Sequence, residues 1–234
     1  TLLVWIDDDS DRTDINRTAL YYSVYDCTKK IWSEPKQVEN DGTADFSPVL
    51  KNLNGKPYLL WSNCSKVLND DADMNSVLSC IDISFASFDG KDFSEISKIN
   101  SNNCMDVMPD IAIIDGFPVV IWISNTENDV FLSEGNTKIH KAIKKGSSWE
   151  ITEVAGNLNG INSITIIEED KSPAIYYSAD TDGNFMTSDD CEIFKIKNNE
   201  VSQITQNNVM DSYIVSFNNR VYWNSNGSVT NGTD

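Results

Sequence analysis

The chain has 234 residues, with 36 acidic against 18 basic side chains and a formal net charge of −18. A surface of this charge repels nucleic-acid phosphates and anionic membranes, so we expect neither as a partner. No apolar run approaches the ~20 residues that a membrane-spanning helix needs, so membrane insertion is not expected either.

One phrase recurs along the chain and sets its organisation. It opens the sequence as TLLVWIDDD and returns as GKPYLLWSN, GFPVVIWIS, SPAIYYSAD and NRVYWNSN. Repeats of roughly 50 residues are typical of solenoids, propellers or arrays. The aromatic residue of the phrase falls at Trp5, Trp61, Trp122, Tyr177 and Trp223.

Short stretches rich in Val, Ile, Tyr, Phe and Trp alternate with polar turns, which predicts many short β-strands. The repeat that begins at Phe46 contains four of them: Phe46–Asn52, Pro57–Asn63, Cys80–Phe88 and Phe93–Ile99. Four antiparallel strands per repeat, arranged radially, form a β-propeller blade. We therefore predict an all-β protein, a β-propeller of four-stranded antiparallel blades. The repeated Trp is expected to pack between blades.

We expect a single propeller domain over residues 1–234, with about four to five repeats. The repeats cover roughly 1–45, 46–105, 106–160, 161–210 and an incomplete 211–234. The first repeat begins on a second strand, and the last contains a first and a second strand only. This pattern favours a fragment of a larger propeller, whose remainder would then be a partner, over a closed ring of four blades.

The repeats resemble those of extracellular bacterial β-propellers, which include sialidase-like and sugar-binding proteins. The turns Ser87–Phe93 (SFDGKDF) and Lys144–Glu150 (KKGSSWE) are similar to degenerate Asp-boxes, the Ser-x-Asp-x-Gly-x-x-Trp turns of sialidase-like blades. In that family the box is a structural turn, so the resemblance implies a fold and no activity. The three arginines that bind the substrate carboxylate in sialidases have no counterpart, because Arg12, Arg17 and Arg220 lie in unrelated contexts.

Acidic residues gather in the loops that join second and third strands. Alternating carboxylate and amide oxygens on a tight loop are typical of Ca²⁺ sites. None of these loops continues to the glutamate of an EF-hand, so solvated acidic loops are the simpler interpretation. The candidate Ca²⁺ ligands are Asp7, Asp9, Asp11, Asp71, Asp73, Asn75, Asp180 and Asp182.

A second set of acids lies just before the first strand of three repeats. Asp45, Asp106 and Asp211 should emerge on the same face as the acidic loops and nearer the central channel. We treat them as candidate ligand-binding residues. The alternative is that each carboxylate accepts loop N–H groups and fixes a turn.

The chain has five cysteines, and two of them flank the longest acidic loop. Cys64 ends a second strand and Cys80 opens the third, and neighbouring antiparallel strands bring such ends within disulfide reach. We predict a Cys64–Cys80 bridge, with Cys104 as the rival partner. Cys27 and Cys191 have no evident mates.

The only histidine, His140, lies among lysines in a third strand and is expected to face solvent. One histidine and no nucleophile motif nearly exclude a Ser-His-Asp or Cys-His apparatus. We identify no catalytic residue and lean away from an enzyme. The leading hypothesis is a secreted or cell-surface binding module for a glycan or an extracellular protein, with any export signal already removed. The alternatives are part of a carbohydrate-active, glycosidase-like enzyme, or a structural spacer.

Overall fold

The structure is a computed structural model that describes residues 1–130, 132, 136–184, 187, 191–225 and 228–231. β-Strands are the dominant regular structure of the described chain. Its helices are a 3-10 turn, Asp14–Asn16, and one short α-helix, α1 (Met74–Leu78). Among the described residues, no helix has the length and hydropathy to span a membrane.

Two compact units divide the chain, and the first spans Thr1–Cys104. Its first sheet, blade 1, has β1 paired with β2, and β2 paired with both β3 and β4. Its second sheet, blade 2, is an antiparallel meander of β5, β6, β7 and β8. The strands are β1 (Leu2–Asp8), β2 (Thr18–Asp26), β3 (Ile31–Trp32), β4 (Lys36–Gln37), β5 (Asp45–Leu53), β6 (Lys56–Cys64), β7 (Ile81–Phe88) and β8 (Phe93–Lys98).

The second unit spans Met105–Asp234 and contains three more sheets. Blade 3 is formed by β9 to β12, blade 4 by β13 to β16 and blade 5 by β17 to β19, each an antiparallel meander in chain order. The strands are β9 (Met105–Ile114), β10 (Phe117–Asn125), β11 (Thr137–Lys145), β12 (Ser148–Leu158), β13 (Ser163–Glu169), β14 (Ser172–Asp180), β15 (Cys191–Lys197), β16 (Glu200–Gln203), β17 (Asp211–Phe217), β18 (Arg220–Ser225) and β19 (Ser228–Asn231).

These sheets confirm the predicted all-β class and the four-stranded antiparallel blade, with about five blades in the chain. Blade 1 begins with β1, which contains the first copy of the recurrent phrase. Its outer strand is split into β3 and β4, with Pro35 between them, because proline cannot donate a ladder hydrogen bond. Blade 5 was predicted to stop after two strands, and that prediction was wrong, because β19 pairs with β18 as a third strand.

The hairpins between first and second strands form for a local reason. Two-residue turns that match the twist of the strands need positive φ at both central positions, which Asn, Asp and Gly tolerate best. Blades 2 to 5 all use such a pair, and only Lys171 departs from these residue types. The pairs are Asn54–Gly55, Asp115–Gly116, Asp170–Lys171 and Asn218–Asn219.

The recurrent aromatic residue packs one blade against the blade before it. In the first unit, Trp61 is buried in a cluster with Leu20 and Tyr22 of blade 1. In the second unit, Trp223 joins a cluster with Ala174 and Tyr176 of blade 4. The predicted packing role of the phrase is confirmed at these two positions.

The first strands of blades 2, 3 and 5 each contain a β-bulge. The pairing register shifts between Phe46 and Val49 in β5 and between Ser212 and Val215 in β17, and β9 shifts at the equivalent place. One residue inside each bulge adopts a positive φ. These bulge residues are Ser47, Met108 and Tyr213.

Candidate functional site

The three aspartates predicted to bind a ligand lie at the start of the bulged first strands. Asp45 is 3% exposed, and Asp106 and Asp211 are 0% exposed. Each carboxylate is therefore inside its blade rather than on an open surface. Each is two residues before a bulge residue, so bulge and aspartate form one repeated local structure.

In blade 2, Asp45 is held by donors from two blades. Its Oδ2 accepts the backbone N–H of Leu20 on blade 1 at 3.1 Å, and its Oδ1 accepts Nδ2 of Asn63 at 2.9 Å. The same amide nitrogen donates to Oγ1 of Thr43 at 2.8 Å. Burial outweighs these hydrogen bonds and raises the pKa of Asp45 to about 6.

A second buried acid in blade 2 was not singled out from the sequence. Asp82 is 0% exposed and lies in register with Asn63, which is itself in register with Asp45. Its Oδ1 accepts Nδ2 of Asn100 at 3.3 Å and the N–H of Asn102 at 3.2 Å. Burial raises the pKa of Asp82. Its position in the apolar run CIDISFASF was the available signal, since a buried charge needs specific partners.

In blade 3, Asp106 is bonded to the recurrent aromatic residue. Nε1 of Trp122 donates to Oδ1 of Asp106 at 2.8 Å. The indole also stacks on His140, with ring centroids 5.4 Å apart and planes at 19°. His140 was expected to face solvent, but it is half-buried against this indole, and burial lowers its pKa.

In blade 5, Asp211 is bonded within its own unit. Its Oδ2 accepts Nδ2 of Asn207 at 2.7 Å, and its carbonyl oxygen accepts Oγ of Ser178 on blade 4 at 2.5 Å. Its Oδ1 is buried and has no hydrogen-bond partner among the described residues. Asp211 therefore joins blade 5 to blade 4 and keeps one acceptor unsatisfied.

The first acidic loop is organised around an arginine. Asp9 accepts the N–H of Asp11 at 3.1 Å and Nε2 of Gln37 at 2.7 Å, and it is 3.3 Å from Nε of Arg12. The backbone hydrogen bond from Asp11 is the largest cause that lowers the pKa of Asp9. Asp7 is exposed and accepts the N–H of its neighbour Asp8. Arg12 thus supplies the positive charge that a cation would bring.

The second acidic loop contains α1, and one of its aspartates caps the N-terminus of this helix. Asp73 is the N-cap, and its Oδ1 accepts the N–H of Ser76 at 2.7 Å. Asp71 is exposed before the helix, and Asn75 lies in its first turn. The loop is closed by a disulfide between Cys64 and Cys80, whose Cα atoms are 4.9 Å apart.

The third acidic loop is a chain of side-chain turns. Oδ1 of Asp180 accepts the N–H groups of Asp182 at 2.9 Å and Gly183 at 2.7 Å, and Asp182 in turn accepts from Asn184. Asp180 is 8% exposed, and its Oδ2 has no hydrogen-bond partner among the described residues. Positions 185, 186 and 188–190 of this loop lie outside the described residues.

Within the part of the chain that the structure describes, no three side chains of His, Cys, Asp or Glu converge as a metal site. A cleft of about 130 Å³ lies between blades 3 and 4. Ligand sites for small molecules are usually roughly 300 Å³ or more, so this cleft is small for one. It is lined by Lys141, Val154, Ser172, Pro173, Ile175, Ile196, Asn198 and Asn199.

No family model and no curated protein sequence matches this chain. Its fold is similar to that of an α-L-arabinanase from Penicillium chrysogenum, solved with arabinobiose: TM-score 0.57, 10% identity, over 100% of this chain and 72% of that one. The chain has the β-propeller fold. It is also similar to an α-L-arabinofuranosidase from Fusarium graminearum in complex with an iminosugar inhibitor, with TM-score 0.57, 12% identity and 98% and 69% coverage. A polysaccharide lyase gives TM-score 0.55 and 9% identity over 96% of this chain, which spans about half (52%) of the lyase.

Proposed function

We propose that this protein acts on a glycan, as the propeller part of a carbohydrate-active enzyme. The observation that carries the proposal is the structural similarity of nearly the whole chain to three glycan-cleaving proteins. Identity of 9–12% leaves the substrate open. The net charge of −18 favours a neutral glycan, since a polyanionic one would be repelled.

A non-catalytic glycan-binding module is the second candidate, and a specific observation favours it. Asp45, Asp106 and Asp211 are buried, and each accepts a hydrogen bond from the protein. Glycoside hydrolysis needs two carboxyl groups that reach the substrate, roughly 5–10 Å apart. Carboxylates committed to protein donors suit a scaffold better than a catalytic pair.

One experiment separates the two candidates. The protein is run through native gels that contain arabinan, xylan or polygalacturonate, and the same glycans are incubated with it and assayed for new reducing ends. Retardation with release of sugar supports the enzyme, and retardation without release supports the binding module. No retardation and no release with any of the three would overturn the glycan function.

The three aspartates remain candidate ligand-binding residues, and the same assays test them. Asp45→Asn, Asp106→Asn and Asp211→Asn are compared with Asp71→Asn, which changes an exposed loop carboxylate. A role in ligand binding predicts weaker retardation of the folded variants than of Asp71→Asn, beyond any change in melting temperature. A fall in melting temperature with unchanged retardation would assign these residues to the scaffold instead.

Bound Ca²⁺ is part of the proposal for one loop. Oδ2 of Asp180, which has no hydrogen-bond partner among the described residues, and the neighbouring Asp182 suit a hard cation, whereas Asp9 is paired with Arg12 and Asp73 caps α1. Millimolar Ca²⁺ should raise the melting temperature of the wild type, and Asp180→Asn should abolish the rise. Equal melting in Ca²⁺ and in EDTA would reject the site.

Secretion or display on the cell surface fits the Cys64–Cys80 disulfide, because such bonds persist in oxidising compartments. Alkylation of the purified protein in denaturant, which also exposes the buried Cys191, followed by mass measurement, tests this proposal. The expected result is three alkylated cysteines without reductant and five after reduction, since Cys27, Cys104 and Cys191 are not bridged in the structure. Five alkylated cysteines without reductant would contradict it.

A further inference from the structure

The bulge residues carry a conformational cost that the sequence could have avoided. Ser47, Met108 and Tyr213 have φ values of 47°, 54° and 53°. This left-handed region is unfavourable for side chains other than Gly, Asn and Asp, and a bulky residue there is an outlier. Glycine would form the same kind of bulge without strain. The side chains are therefore retained at a cost to stability.

Core packing does not compensate for this cost. Tyr213 is 69% exposed and Met108 is 36% exposed, and Ser47 is also exposed. Tyr213, whose side chain lies mostly in solvent, therefore gains the least from burial. Strain that persists without packing is typical of functional sites.

The backbone around Tyr213 is fixed from both sides, so its ring is presented from a rigid base. The next residue, Ile214, is 4% exposed, and its N–H donates to Oγ of Ser163 on blade 4 at 3.0 Å. Two residues earlier, Asp211 is buried and bonded to Asn207. A protein residue whose backbone is held in this way loses little backbone conformational entropy when it binds a ligand.

We propose that Tyr213 is a glycan-stacking residue, with its ring against the apolar C–H face of a sugar and its hydroxyl available to a sugar hydroxyl. An aromatic ring with a polar end suits a ligand that is apolar on its faces and polar at its edges. Val215, two residues further along β17, is also exposed, at 57%. The inference rests on the proposed glycan function and assigns one residue of its site.

The test combines binding and stability. Tyr213→Asn removes the ring and inserts a residue that tolerates positive φ. Tyr213→Phe keeps the ring. Phe117→Asn is the matched control, because Phe117 is an aromatic residue 54% exposed at the start of another strand, β10, with no positive φ. Each protein is titrated with arabinan, xylan and polygalacturonate by affinity electrophoresis, assayed with each for new reducing ends, and melted without ligand.

We expect Tyr213→Asn to weaken binding at least about tenfold while its melting temperature equals or exceeds that of the wild type. Tyr213→Phe should stay within about threefold of the wild type, and Phe117→Asn should bind as the wild type does. If the wild type binds and Tyr213→Asn binds equally well, or melts lower, the inference is wrong and the glycan function stands. If the wild type is neither retarded by nor able to cleave any of the three glycans, both are overturned.

Discussion

Burial of Asp45 should make stability depend on pH in the direction opposite to that of most acids. Its pKa rises from an ordinary 3.8 to about 6 in the folded protein. Between these values the native state holds a proton that the unfolded chain releases, so the free energy of unfolding falls as pH rises. The stabilisation of the native state by this proton on Asp45 is fully present below about pH 4 and is lost as the pH rises through about 6. A difference of roughly 2 pKa units, at 1.36 kcal/mol each, corresponds to about 3 kcal/mol.

Urea denaturation of the wild type and Asp45→Asn at pH 4, 5, 6 and 7 measures this contribution. The stability of the wild type relative to the variant should fall by about 2 to 3 kcal/mol from pH 4 to pH 7. Subtraction of the variant removes the effects of the other acids, and Asp71→Asn, in an exposed loop, is the control. A wild-type-minus-variant difference that stays constant over this range would refute the reasoning.

Three further outcomes are expected. Trp122→Phe should lower the free energy of unfolding by about 1 to 3 kcal/mol, because it removes the N–H donor to buried Asp106; an unchanged urea midpoint would contradict this. The double variant Cys64→Ser/Cys80→Ser should lose about 3 kcal/mol, since the bridge joins residues 16 apart; equal urea midpoints for variant and wild type would argue against it. Asn63 begins an Asn-Cys-Ser sequon, but it is 2% exposed and its amide already donates to Asp45. When the protein is secreted from eukaryotic cells, folded molecules should therefore carry no glycan at Asn63. A glycan found at Asn63 by mass spectrometry would contradict this.

The strands could be predicted because their signals are local. Continuous apolar runs ending in an aromatic residue gave the buried second strands, and Asn54–Gly55 gave the tight turn before one of them. The Cys64–Cys80 pairing followed from the same reasoning, since the two residues end adjacent strands, and the bond is present in the structure.

Other features depend on contacts that a single sequence does not display. The bulges at Met108 and Tyr213 could not be predicted, because neither residue type signals a positive φ. One donor to buried Asp45 is the backbone N–H of Leu20, 25 positions earlier in the chain. Asp73 did carry a local signal as a helix N-cap, but the alternating acidic residues beside it placed it among the candidate Ca²⁺ ligands instead.

The bridge between Cys64 and Cys80 also governs how the protein would survive proteolysis. The segment between them includes exposed residues such as Lys66 and Met74, which a protease can reach. A cut there leaves two polypeptides that stay covalently joined, with β6 and β7 still side by side. In denaturing gel electrophoresis without reductant, nicked molecules would therefore keep the mass of intact ones. A reducing agent would separate the two fragments.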